Sequence, residues 1–258
     1  MKLIQTAERI SHAEASDHVI FQRSIFAYHE AAKIVRQTLL EIGTGMGYGM
    51  ELLASQVDNY LAIDKYSSPL VEKNKENENF LFYQQSVPPF TGIADSSVDS
   101  LVTFQVIEHI KNDHAFVEEI SRVLKPKGQA IITTPNIKMS LTRNPWHIRE
   151  YTVKELQALL APHFSKVEVF GVYGNDEVND YYERNKKSVQ KYTRFDILKL
   201  QYNLPRFMLQ IPYDILNRMN RKKLMEQSNA EISHVSFKDY HLKEADDSCF
   251  DLFAIATK

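Results

Sequence analysis

Four glycines within seven residues, Gly43-Thr44-Gly45-Met46-Gly47-Tyr48-Gly49, follow directly on the short apolar run Thr38-Leu39-Leu40-Glu41-Ile42. The run reads as a β-strand, and Met50, Leu52, Leu53 and Ala54 beyond the glycines read as the start of a helix. Glycines crowded into a strand-to-helix turn let backbone amides approach a ligand without interference from a Cβ. A chain that opens in this way has to complete βαβ units.

The remainder keeps that rhythm. Tyr60–Ile63, Phe80–Tyr83, Asp99–Phe104, Gln129–Thr134, Val167–Val172 and Phe250–Thr257 read as six further strands. Between them lie helical stretches, one starting at Asp113 as N-cap and one at Thr152, whose capping box is completed by Glu155. Residues 15–36 read as a helix ahead of the first strand. Strands alternating with helices of this length predict an α/β fold with a mostly parallel sheet. Unalternated apolar runs such as Ala130-Ile131-Ile132 suit strands covered on both faces. Residues 175–247 break the rhythm. A structureless loop of that length is improbable in a compact domain, so the stretch is expected to form helices of its own, with Pro205 and Pro212 breaking it into short ones.

Composition bounds the function. A single cysteine, Cys249, excludes an internal disulfide framework and fits a reducing compartment. No stretch reads as a secretory signal or a bilayer span, so the expected location is cytoplasmic. The net charge of −2 hides an asymmetry: Glu183–Lys223 holds eleven Lys and Arg against three Asp and Glu, a local +8, which leaves −10 for the rest.

The glycine string excludes two nucleotide motifs. A dinucleotide fold requires G-x-G-x-x-G, but the sixth position is Tyr48 counted from Gly43 and Met50 counted from Gly45. A P-loop requires Lys-Ser or Lys-Thr after the glycines, and neither is present. What stands there is Glu41-x-Gly43-x-Gly45-x-Gly47, followed about twenty residues later by Asp64 at the end of the second strand. This string resembles motif I of class I S-adenosylmethionine-dependent methyltransferases. A carboxylate two residues before the first glycine would repel a pyrophosphate but suits a ligand carrying an ammonium and a sulfonium, and a carboxylate at Asp64 can accept two hydrogen bonds from vicinal ribose hydroxyls.

The resemblance runs from about Glu8 to the C-terminus and is nearest to ubiquinone-biosynthesis-type O-methyltransferases and the bacterial proteins around them. It implies a Rossmann-like, seven-stranded, mostly parallel sheet in the order 3-2-1-4-5-7-6 with the last strand antiparallel. It also implies a helical insertion between strands 6 and 7. On that reading residues 1–36 form an N-terminal helical segment, 37–175 with 246–258 the core, and 176–245 a helical lid. S-adenosyl-L-methionine is the implied cofactor, held by Glu41, Gly43, Thr44, Gly45, Gly47 and Asp64. Gln85 stands where the family often has an acid facing adenine, Ser86 is the next candidate there, and Gln105 and Val106 would line the cleft.

For chemistry, Glu108 and His109 follow the fourth strand, at the sheet edge where open α/β sheets place their sites, and His147 lies in the connection after the fifth. These three are the candidate catalytic residues. Three readings stand open for them: helix-start residues with local hydrogen bonds, a metal-free general base at His109 or His147, or ligands to a divalent metal. The metal reading comes from a resemblance to plant-type small-RNA 2′-O-methyltransferases and some quinone O-methyltransferases. It is not the favoured one, because the family's further Glu is here Gln105.

The basic insertion admits a solvated lid face, an anionic small-molecule acceptor or carrier, or peripheral contact with an anionic membrane. It carries no recognised RNA or DNA module, so nucleic acid ranks last. Helix 15–36 is expected to wall the cleft with His18, Tyr28 and His29. The leading expectation is methyl transfer to a small molecule, foremost to a hydroxyl oxygen. A catalytically inactive cofactor-binding scaffold is the alternative, and a nicotinamide-dependent oxidoreductase is disfavoured by the broken G-x-G-x-x-G. Oligomeric state is not legible.

Overall fold

A computed structural model describes residues 15–194, 196 and 200–258. The expected N-terminal helical segment over 1–14 and the expected lid at 195 and 197–199 lie outside the described residues. In chain order the elements are α1 (His18–Ala32), β1 (Thr38–Ile42), α2 (Tyr48–Leu53), β2 (Asn59–Asp64), α3 (Pro69–Asn74), β3 (Phe80–Gln84) and β4 (Val98–Phe104). They continue with α4 (Asp113–Val123), β5 (Leu124–Pro135), α5 (Val153–Leu160), β6 (Lys166–Gly174) and α6 (Asp176–Thr193). The last are α7 (Leu200–Asn203), α8 (Arg206–Ile232), β7 (Tyr240–Glu244) and β8 (Asp251–Thr257).

The sheet runs β3-β2-β1-β4-β5-β8-β6-β7. The strands from β3 to β5 are parallel, and β8 runs antiparallel to both β5 and β6. This is the expected order with one strand added, eight rather than seven. Tyr240–Glu244 falls in the stretch for which the sequence predicts helices. It is a short edge strand in which only Tyr240 is buried, and its His, Lys and Glu give the polar cast that sheet edges carry against further pairing. The central strands are dry on both faces: Leu39, Leu40, Leu101, Val102, Ile131 and Ile132 are each 0% exposed.

Two local expectations change. The cap of α4 is Asn112, whose side chain accepts from the Ala115 amide, while Asp113 is the first helical residue. Asp113 is buried instead and accepts from the Tyr151 hydroxyl at 2.8 Å and from Arg149. Pro212 does not break the helix: α8 passes through it for 27 residues. Pro212 and Met208, whose carbonyl lacks its usual amide partner, are both exposed, so water can reach that carbonyl. Pro205 does stand between α7 and α8. Thr152 and Glu155 form the expected capping box.

The chain divides into two compact units. The larger contains 25–139, 149–173 and 242–258, and hence nearly all of the sheet. The smaller contains the described residues up to Ser24, 140–148 and 174–241. Polar ties hold the smaller unit together. Arg221 pairs with Asp17 at 2.7 Å, Asn220 bonds to both Ser188 and Asn185, and Trp146 donates through Nε1 to Asp214. None of the described helices is long and apolar enough to cross a membrane.

Candidate active site

The larger unit builds a bare backbone cradle where β1 ends. Gly43, Gly45 and Gly47 all have left-handed φ, at +83°, +55° and +87°. The Gly43 amide donates to the Ile63 carbonyl of β2, and the Gly47 amide closes the turn onto the Thr44 carbonyl. Around Gly45 the space a Cβ would take is open, so its exposed backbone can meet a ligand directly. A Cβ on Gly43 would instead lie 2.3 Å from Cγ2 of Val106. Thr44 is buried, and its hydroxyl makes no hydrogen bond among the described residues.

Two carboxylates flank this loop. Asp64, half-buried at the end of β2, accepts from the Gly45 amide through Oδ2 at 2.9 Å and from the Tyr66 amide through Oδ1 at 2.8 Å. Its position is therefore fixed by backbone on both sides. Glu41 is buried on β1 and accepts the hydroxyls of Tyr28, at 2.7 Å, and Tyr60, at 2.6 Å. Burial pushes its carboxyl above the ordinary range, the two tyrosines pull it back down, and the charge of Asp64 raises it again. Both tyrosines are held well up, first by burial and then by the charge of Glu41, so they stay donors. Two acids that repel each other beside a glycine loop favour a cation near them.

Tyr28 was expected to wall the cleft. The structure gives it a different task as a pin. Its ring meets Phe104 edge-on, with centroids 4.8 Å apart, and packs so closely on Gly49 that a Cβ there would lie 1.8 Å from the ring. Gly49 is needed because of that ring and not because of its own φ. Gly49→Ala is accordingly expected to destabilise the fold by about 1–3 kcal/mol through overpacking, read as a lower urea midpoint. Tyr28→Ala in the same chain should return part of the loss, which makes the pair non-additive. Equal losses that simply sum would remove the pin.

The bend after β3 uses Gln85 structurally. Its amide donates to the Thr91 carbonyl at 2.8 Å and accepts from the Thr91 amide at 3.1 Å, stapling residues 85–91, while Ser86 beside it is exposed. At the end of β4, Gln105 takes a left-handed φ of +56°, uncommon outside glycine, and its amide donates to the Thr133 carbonyl. The chain turns sharply there and lays Val106 against Gly43. A 3-10 turn, Ile107–His109, follows at once. Glu108 is buried with Oε2 accepting from the Thr134 hydroxyl at 3.0 Å, and His109 is half-buried with its amide bonded to the Val106 carbonyl. His109 also edges an open cavity of about 650 Å³ shared with Val87, Pro88, Ile110 and Asn112. The larger unit thus brings together the loop, Glu41, Asp64, Gln105, Val106, Glu108 and His109. His147 lies on the 140–148 segment of the smaller unit, where Asn144 Nδ2 donates to its Nε2 at 2.8 Å.

The same stretch of chain carries the family signature. Residues 40–132 match a family model described as a methyltransferase domain. A protein of Mycolicibacterium smegmatis, described as a probable S-adenosylmethionine-dependent methyltransferase, is 29% identical over 98% of this chain and 94% of its own length. The chain carries a methyltransferase domain. It is an enzyme, a methyltransferase whose methyl donor is S-adenosylmethionine. A Mycobacterium tuberculosis protein of the same description is 32% identical over 66% of this methyltransferase and 64% of its own length. The ubiquinone biosynthesis O-methyltransferase of Rickettsia typhi is 30% identical over 50% of the chain and 51% of its own length.

Solved structures repeat the fold. The YcgJ protein of Bacillus superposes with a TM-score of 0.52 at 16% identity, covering 90% of this chain and 97% of its own. The [4+2]-cyclase SpnF superposes at 0.53 and 15%, covering 99% and 88%. A cyclase on this fold shows that the sheet alone does not decide the reaction.

Proposed function

We propose that this methyltransferase seats its donor on the Gly43–Gly47 loop and passes the methyl group to a hydroxyl oxygen of a small molecule, with His109 as general base. One contact carries the reading: Val106 lies against Gly43, so the turn bearing Glu108 and His109 begins on the cradle itself. The residues present fit the donor, because an open glycine backbone between two carboxylates suits a cationic nucleoside. Asp64 would accept the ribose hydroxyls, and Glu41, dry behind the loop, would add negative field toward the ammonium and sulfonium. With the Gln85 amide committed to the bend, Ser86 is the residue free of that staple to meet the adenine edge.

When bound, the donor supplies a methyl group on a positively charged sulfur. Much of the acceleration then comes from alignment, which the Gly43–Val106 contact and the fixed Asp64 impose. A hydroxyl acceptor must also lose its proton. His109 would take it on the imidazole, and the buried charge of neighbouring Glu108 would favour the imidazolium so formed. The O-methyltransferase relatives support oxygen as the accepting atom.

The test is a panel of catechols, hydroxy-acids, sugar phosphates, amines and carbon acids with radiolabelled donor. Label recovered in an ether or ester oxygen is the expected result. Label on nitrogen or carbon would overturn the acceptor, and tight S-adenosylhomocysteine binding without turnover on any acceptor would return the chain to a scaffold. Turnover is expected to persist with chelator. Its loss, and return with magnesium, would transfer the proton's removal to a metal-polarised hydroxyl.

A further inference from the structure

The outward face of α8 is apolar where a soluble helix is polar. Phe207, Met208, Ile211, Ile215, Leu216 and Met219 are between 51% and 72% exposed. Their spacing of three to four residues keeps them on one face over roughly three turns. The buried side of the same helix is already partnered: Asn220 and Leu224 are buried, and Arg221 reaches inward to Asp17. The outward stripe is therefore additional to the packing that holds the helix.

Its charge is one-sided. Arg218, Lys222 and Lys223 are exposed on the same face and continue it by a turn. The described acids of the segment all have partners within it or beside it. Asp214 is half-buried and accepts from Trp146, Asp196 caps the amides of Leu200 and Gln201, and Glu183 pairs with Lys186. Between Arg206 and Lys223 no acid is exposed. The exposed charges of α8 between Arg206 and Lys223 are therefore all positive.

We infer that this face of α8 docks the enzyme on an anionic lipid surface. Apolar side chains flanked by cations, with no exposed acid from Arg206 to Lys223, match a headgroup layer that is negative outside and apolar beneath. A second copy of this chain would bring the same surplus of positive charge to the interface. Nucleic acid would call for stacking rings, and only Phe207 among the six is aromatic. The inference does not depend on the nature of the methyl acceptor.

The full chain is sedimented with phosphatidylcholine vesicles, with and without about one third phosphatidylglycerol, at low and high salt. Partitioning should be at least tenfold higher on the anionic vesicles and should fall with salt. Ile211→Asp with Ile215→Asp should abolish it, and Lys222→Glu with Lys223→Glu should lower it roughly tenfold or more. Both variants should keep wild-type circular dichroism and S-adenosylhomocysteine affinity, which separates loss of docking from loss of fold. Equal partitioning on neutral and anionic vesicles overturns the inference, as does unchanged binding by either variant. A wild-type dimer that Ile211→Asp with Ile215→Asp converts to monomer, without vesicle binding, assigns the face to a second copy instead.

Discussion

Asp64→Ala is expected to weaken S-adenosylhomocysteine binding on the order of 100-fold, about 3 kcal/mol, the loss of two hydrogen bonds from ribose hydroxyls to a charged acceptor. The carboxylate is held in place by the Gly45 and Tyr66 amides, so the hydroxyls meet an acceptor that needs no reordering. Its removal also frees the Gly45 amide and loosens the loop proposed to seat the rest of the ligand. Comparison of the two ligands identifies the mechanism. If Asp64 acts through the sugar, S-adenosylmethionine and S-adenosylhomocysteine lose affinity equally. If it acts as a field on the sulfonium, the charged ligand loses more. Asp64→Asn, which keeps one acceptor oxygen, should fall between wild type and alanine. An alanine variant within threefold of wild type for both ligands would take Asp64 out of the site. Calorimetry at fixed ionic strength reads all of these.

The parts of this protein that were legible in the sequence are those in which one local rule has one solution. Alternate glycines after an apolar run require a bare turn, and all three expected positions do have left-handed φ. Apolar runs without alternation required a covered, mostly parallel sheet, and the resemblance implied its order. What was not legible depends on partners distant in sequence. The tyrosines that clamp Glu41 come from α1 and β2, and nothing at Tyr28 or Tyr60 marks them as its donors. The need for glycine at position 49 comes from a ring 21 residues earlier. Gln85 matched a position that often carries an acid, yet its amide closes a bend on Thr91, a pairing set by the loop's path. Pro212 reads as a helix breaker by local rules and is overridden because the carbonyl it strands lies on an exposed face. The apolar residues of α8 have the spacing of a face that buries. Only exposure shows that the chain leaves it outside.

The fold is shared with a cyclase, so catalysis must be argued from side chains, and the sharpest case is His109→Gln. Methyl transfer should slow by roughly 10²- to 10⁴-fold in kcat, the usual contribution of a positioned base. Donor binding should hardly change, because glutamine keeps the backbone bond from residue 109 to the Val106 carbonyl that shapes the turn. Only the neutral imidazole accepts a proton, so the wild-type rate should fall toward acid pH and the variant should lose that limb. An acceptor acidic enough to be ionised at assay pH needs no base, so the variant and wild type should methylate it at similar rates. A merely structural histidine would slow both acceptors alike. His147→Ala, assayed in parallel, is the control for the other candidate: the deficit and its rescue by an ionised acceptor should follow His109. If they follow His147 instead, that histidine takes the acceptor's proton, and the contact between Val106 and Gly43 serves the donor alone.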